Sequence, residues 1–259
     1  MVFRYLLSVL GTGCPKVDTV LDDPHRRPGE LLQGRLELTG GELDWEVAEV
    51  AHVLVARFGD GEESEFARVP LMGAMTLDAE RRLVVPFAYR VPWAAPPTRL
   101  DGTDLAGVEL GLRTDVVIDD ALDEGDLDPV YVHPLPLHER LLEGMERAGF
   151  ERRGGHAARG GLPGDPGRAR FHRALRYTDG TVDLDLLLST AEEGVAVAFA
   201  ADGMLAEYAA GRAEPRWFHA RHEDADREDW RRRVGEWIGY TLDRDGDGEA
   251  YARKGGAEG

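Results

Sequence analysis

The sequence predicts a mainly β protein: two antiparallel β-sandwich domains in tandem, accompanied by a few short helices. Three observations predict it. A chain of 259 residues exceeds the size at which one hydrophobic core keeps growing, and so favours two domains. Several short segments alternate apolar and polar residues with a period of two, the pattern that buries one face of a strand and wets the other. Prolines and glycines punctuate these segments where the chain must turn.

The first clear strand spans Leu31 to Thr39. Leu32, Leu36 and Leu38 share one face, Gly34 keeps the register, and Gln33, Arg35 and Glu37 face the other way, after a turn at Pro28-Gly29. Val47 to Phe58 is apolar on both faces, which periodicity leaves open between a central strand and a buried helix. The β-branched Val47, Val50, Val53 and Val55 favour the strand. Leu83, Val85, Phe87, Tyr89 and Val91 alternate with their neighbours until Pro92. Val108, Leu110, Leu112, Thr114, Val116 and Ile118 do the same opposite Glu109, Arg113 and Asp115. An acidic, irregular stretch from Asp119 to Asp128 then leads to His133-Pro134-Leu135-Pro136. Two prolines there place the domain boundary, with residues 1–133 in an N-terminal sandwich and 134–259 in a C-terminal one.

In the second half, Leu137, Leu141, Leu142 and Met145 recur at helical spacing, and Gly149 stands where a left-handed C-terminal cap falls. A Gly- and Arg-rich loop, Arg152 to Gly167, precedes strands at Phe171 to Tyr177, at Val182 to Leu188, and at Val195 to Phe199 after a turn at Gly194. Trp230, Val234, Trp237 and Ile238 mark a closing amphipathic helix, with Asp224 and Asp226 as candidate N-caps.

Composition narrows the function. Forty-nine acidic side chains against 31 Lys and Arg give a formal charge of -18, which repels phosphate backbones and anionic headgroups and disfavours generic nucleic-acid or membrane binding. Cys14 is the only cysteine, so no intrachain disulfide forms and a reducing cytoplasm fits best. Phe3 to Leu10, followed by Gly11-Thr12-Gly13-Cys14, superficially matches a lipoprotein signal. Only Arg4 supplies positive charge and the apolar run is short, so that reading is rejected. No other segment approaches the roughly 20 apolar residues of a membrane span.

Several ordered motifs carry a resemblance. Lys16-Val17-Asp18-Thr19-Val20-Leu21, Pro28-Gly29-Glu30 and the Gly34 to Gly41 strand resemble the N-terminal signature of the SpoOM family of bacterial sporulation-control proteins. Val85-Pro86-Phe87, Leu110-Gly111-Leu112-Arg113-Thr114-Asp115, Ala121-Leu122-Asp123, His133-Pro134-Leu135-Pro136 and Gly149-Phe150 continue it in order, covering roughly Met1 to Phe150. The resemblance implies an arrestin-like fold of two sandwiches, a short helix at Phe3 to Leu10 and a cytoplasmic location. It also implies control of sporulation or cell differentiation through protein contacts, with no catalytic residue and no cofactor.

The residues themselves offer little chemistry. None of Ser8, Ser64 or Ser189 sits in a Gly-x-Ser-x-Gly elbow, and Lys16 replaces the third glycine of a dinucleotide fingerprint after Gly11-Thr12-Gly13. His133 with His138, and His219 with His222, have spacings of no compact metal motif, while His52 reads as a core histidine. Asp243, Asp245 and Asp247 match the first half of a calcium loop, but Lys254 stands in the closing carboxylate's place, so a solvated acidic tail is preferred. Against the overall acidity, arginines gather from Arg152 to Arg176. Arg168, Arg170, Arg173 and Arg176 are the candidate partner-binding residues, although alternation sets Arg173 beside Phe171 and Leu175 and the others on the opposite side. Two function classes stay open: a scaffold that binds proteins, and a metal-dependent hydrolase built from the histidines and acidic clusters, with a calcium-responsive module as a variant. The lack of a nucleophile or metal motif favours the scaffold. A homo-oligomer is among the assemblies the sequence allows.

Overall fold

A computed structural model describes residues 15–100, 102–105, 107–118, 121–167, 170–201 and 203–245, with the side chains of 121–126 and 244–245 left aside. The helix expected at Phe3 to Leu10 lies outside these residues, as does Cys14. In chain order the strands are β1 (Lys16–Leu21), β2 (His25–Arg26), β3 (Leu31–Thr39), β4 (Trp45–Phe58), β5 (Glu63–Met72), β6 (Met75–Leu77), β7 (Arg82–Arg90), β8 (Arg99–Leu100), β9 (Thr103–Asp104), β10 (Val108–Ile118), β11 (Ala121–Pro129) and β12 (Tyr131–Val132). Helix α1 (Pro136–Arg147) follows, then β13 (Glu151–Arg159), β14 (Phe171–Thr178), β15 (Asp183–Thr190), β16 (Gly194–Ala201), α2 (Met204–Ala209), β17 (Phe218–Arg221) and α3 (Trp230–Asp245). The chain is mainly β and its larger sheets are antiparallel. Two compact units divide it: Met1–Pro92 with Glu109–Val132, and Trp93–Val108 with His133–Gly259.

The first unit is a sandwich. One sheet runs β1-β3-β7 and the other β11-β10-β4-β5, with β6 also paired to β4. In β3 the expected alternation holds, with Leu32, Leu36 and Leu38 buried and Gln33 and Arg35 exposed. Val17, Leu36 and Leu38 of the first sheet meet Val47, Val50 and Val116 of the second in the core. Because β4 lies between β10 and β5, its long apolar run belongs to a central strand rather than a helix. The stretch expected to be irregular from Asp119 to Asp128 is largely strand β11, paired with β10 from Ile118↔Ala121 to Gly111↔Pro129. Its neighbour dictates this more than its own sequence does: Gly111 lies beneath Leu127, where any Cβ would overlap the leucine's branch carbons.

Four polar side chains inside this sandwich satisfy one another. Thr19 Oγ1 lies 2.7 Å from Thr114 Oγ1 and 3.3 Å from His52 Nε2, and His52 Nδ1 lies 3.2 Å from the Tyr89 hydroxyl. Each sheet supplies two of these four residues, so hydrogen bonds join the layers. Burial keeps His52 neutral, pushing its pKa down to about 4, and raises that of Tyr89. On β10, Arg113 and Asp115 are charged yet only 7% and 1% exposed, and Arg113 Nε donates to Asp115 Oδ1 at 2.8 Å. Arg113 reaches across β4 to Glu65 (2.5 Å) and Glu63 (3.4 Å) on β5, while Arg68 of β5 returns to Asp115 at 2.8 Å. These pairs fasten β5, an edge strand, to its sheet.

The second unit is built on one sheet, β13-β14-β15-β16-β17. Here the layer facing the sheet is helical: Leu137, Leu141 and Met145 of α1 and Val234, Trp237 and Ile238 of α3 pack on Leu175, Tyr177, Leu186 and Phe199. Leu205 and Tyr208 of α2 join Ala174, Leu187 and Ala198 in a separate cluster. Helix α1 ends as its sequence indicates. Gly149 takes φ 95°, its N–H bonds Glu146 O at 3.0 Å, and Phe150 N–H bonds Met145 O at 3.0 Å, which satisfies carbonyls left over at the helix end. At the start of α3 the cap is Asp229 rather than Asp224 or Asp226, since its Oδ1 accepts the Arg232 N–H at 3.2 Å. Half of the loop expected from Arg152 to Gly167 is strand β13, whose pairing to β14 carries a bulge between Arg152 and Gly154. Trp93–Val108 joins this unit through Trp93 stacked on His222 at 5.7 Å, Leu100 in the main core, and Gly107 against the backbone of His156 and Ala157.

Candidate interaction surface

Strand β14 separates the arginines the sequence singles out. Arg168 lies outside the described residues and Arg170 is exposed. Arg173 and Arg176 point to opposite faces, as a separation of three along a strand requires. Arg176 grips Asp185 of β15 through two hydrogen bonds of 3.1 and 3.0 Å, and that carboxylate is buried. Arg173 turns toward the helical side and donates to Pro97 O at 3.2 Å. Burial, reinforced by the nearby Arg152, pushes its pKa down to about 10. The described arginines of this group therefore stand in three different settings and do not form one binding face.

Arg173 forms part of the wall of two recesses. One is apolar, bounded by Pro96, Pro97, Leu100, Leu105, Leu142 and Leu186. The other holds Asp165, His172, Ser189 and Trp217, a residue set with the look of hydrolytic chemistry. Its hydrogen bonds say otherwise. Ser189 Oγ donates to Asp165 Oδ1 and accepts the Gly167 N–H (3.2 Å), so its proton goes to a carboxylate and no histidine activates it. His172 Nδ1 bonds Gly160 O at 2.9 Å, and Trp217 Nε1 donates to Pro163 O at 3.1 Å. All of these bonds fasten the 160–167 loop to the sheet. His172 is held below its ordinary pKa, chiefly by burial.

Two further histidines are likewise engaged. His138, fully buried at the start of α1, accepts the Leu135 N–H at Nδ1 (3.2 Å), and this tautomer lets Nε2 donate to Thr190 Oγ1 (2.9 Å). Burial first, and His222 second, push its pKa down to about 3. His222 Nε2 bonds Ala191 O at 3.0 Å. Among the described residues no three His, Cys, Asp or Glu side chains converge as metal ligands. Asp243 and Asp245 fall within α3. That is helix, not the loop a calcium site of this kind requires. Asp247 lies outside the described residues.

Comparison with known proteins locates the chain among its relatives. The SpoOM protein family profile matches residues 3–203, well beyond Phe150, where the legible motifs thin out. The sporulation-control protein spo0M of Bacillus subtilis (strain 168) is 28% identical over 155 residues, or 57% of this chain. The aligned region spans 58% of that relative's length. The crystal structure of Spo0M, sporulation control protein, from Bacillus subtilis aligns with a TM-score of 0.70 at 21% identity, covering 90% of this chain and 99% of that one. The two share a fold.

Proposed function

We propose, from the fact that this chain belongs to the SpoOM family, that it is a non-enzymatic cytoplasmic regulator of sporulation or cell differentiation and acts as a scaffold binding other proteins. The carrying observation is the family match, which runs through the first unit and through most of the sheet of the second. The site chemistry agrees with it: the serine, histidine and carboxylate groups that suggest hydrolysis are occupied in fastening loops and layers. Among the described residues no helix is long and apolar enough to cross a membrane.

At three sheet edges, contact through side chains is favoured over strand addition. Edge strand β7 carries Pro86, β5 carries Pro70, and β13 carries the bulge at Gly154. Prolines and bulges are devices that blunt an edge against pairing with another chain. The test is genetic and biochemical together. Deleting the gene in its host is expected to shift the timing or yield of differentiated cells, and affinity purification during that transition is expected to return specific proteins. A deletion strain that differentiates on schedule, with nothing co-purifying, overturns the reading.

A further inference from the structure

Arg216, beside β17, and Arg233, in α3, are held on aromatic rings. The Arg216 guanidinium carbon lies 5.3 Å from the centre of the Phe218 ring and 5.3 Å from that of Tyr240. Phe218 stacks on Trp237 at 5.2 Å with 16° between the planes, and Arg233 sits 5.5 Å from Trp237. Tyr240, Arg216, Phe218, Trp237 and Arg233 thus form one continuous chain of contacts, in the order ring, cation, ring, ring, cation. Its helical members are spaced at i, i+4 and i+7, which places them on one face of α3. Trp237 anchors the array in the core, while Arg216 is exposed and Tyr240 is 56% exposed.

Many of the chain's other arginines are treated differently, although Arg90 and Arg173 bond backbone carbonyls. Arg57, Arg68, Arg113, Arg140, Arg176 and Arg212 each meet a carboxylate. Among the described residues, Arg216 and Arg233 have ring partners and form no salt bridge. A ring partner leaves the guanidinium's charge in place and, unlike a carboxylate, takes up none of its N–H donors. The ring also restricts the side chain's rotamers before any ligand arrives, so a carboxylate finds a fork already oriented for it. Tyr, Trp and Arg are the residues most enriched where binding energy concentrates at protein interfaces.

We propose that this stack docks a short acidic segment of a partner protein, with carboxylates bonded to the outer edges of Arg216 and Arg233 and an apolar side chain laid on Tyr240. The proposal rests on the scaffold reading above and gives its partner a chemistry. Nucleic acid also uses aromatic and arginine platforms, but it carries a phosphate at every nucleotide, and those beyond the two arginines would meet a chain of net charge -18, whereas a short segment needs only two carboxylates. A second copy of this chain would bring the same -18 with it.

A fluorescein-labelled glutamate-rich peptide with a central leucine, compared with its glutamine counterpart, tests the site by fluorescence anisotropy on the full chain. The acidic peptide is expected to bind, the glutamine one at least ~10-fold more weakly, and Arg216→Gln with Arg233→Gln to weaken acidic binding by more than ~10-fold. Arg216→Lys, which keeps the charge but loses the fork, is expected to weaken it several-fold, giving a reading even if the double variant unfolds. Equal binding by the variants and the native chain overturns the proposal. So does a single-stranded oligonucleotide that binds more tightly than the peptide, or self-association as the only event that Tyr240→Ala disrupts. A double variant that still captures the protein co-purified from cells removes the stack and leaves the scaffold standing. Absence of both phenotype and cellular partner removes the scaffold, while peptide binding remains a property of the stack.

Discussion

Arg113 in the first unit and Arg216 in the second carry the same charge in opposite settings. Arg113 is 7% exposed and ringed by Asp115, Glu63 and Glu65, so its donors are consumed inside the sheet it braces. Arg216 is exposed and lies 5.3 Å from the centres of two rings, which position it without neutralising it. The difference separates an arginine that holds a fold together from one that is held ready. Charge alone does not make the distinction; the chemistry of the neighbour does.

The contrast breaks most sharply at Asp115. Asp115→Ala removes the carboxylate shared by Arg113 and Arg68 and leaves Arg113 only its partners on β5, a loss of charge-assisted hydrogen bonds expected to cost about 1.5–3 kcal/mol, read from urea unfolding. A loss below about 1 kcal/mol would show that Arg113 is as independent of its carboxylates as Arg216 is.

Acid probes each unit through its buried histidine. His52 and His138 have folded pKa values of about 4 and about 3, below the ordinary 6.5. Between those values and 6.5 the unfolded chain binds protons that the native one refuses. Their stabilising contribution is therefore whole above pH 6.5 and falls as pH drops, by roughly 2 kcal/mol per histidine at pH 5. His138→Gln is expected to flatten the acid limb of the stability curve; an unchanged slope would show that His138 becomes protonated within the fold.

Arg176→Gln leaves the buried Asp185 without its fork and is expected to lower stability by about 1–2 kcal/mol in the same urea assay. Arg140 pairs with Asp226 in solvent, and Arg140→Gln is expected to leave the unfolding midpoint where it was. A larger effect at Arg140 than at Arg176 would invert the order that burial imposes.

The parts of this structure that sequence reveals are those whose cause is local. The strand Leu31–Thr39 alternates because one face is wet, and Gly149 caps α1 because only a left-handed residue closes that turn. The same alternation foretells that Arg173 and Arg176 part company. Strands β11 and β13 escape notice because acidic and Gly/Arg-rich residues carry no apolar rhythm, and pairing to β10 and β14 decides their conformation. The aromatic stack is half legible: Arg233, Trp237 and Tyr240 share a helix face, but Arg216 and Phe218 arrive from the start of β17 and the residues just before it through the fold alone.

Trp93–Val108 leaves the first unit after β7 and returns to it only at β10. During synthesis this segment emerges from the ribosome before a single strand of the sheet it joins exists, since β13 begins at Glu151. Neither unit corresponds to one unbroken stretch of messenger. A gene fragment cut at Val132 would deliver the first sandwich with an orphaned segment, Leu100 among it, that has lost the core it was made to enter.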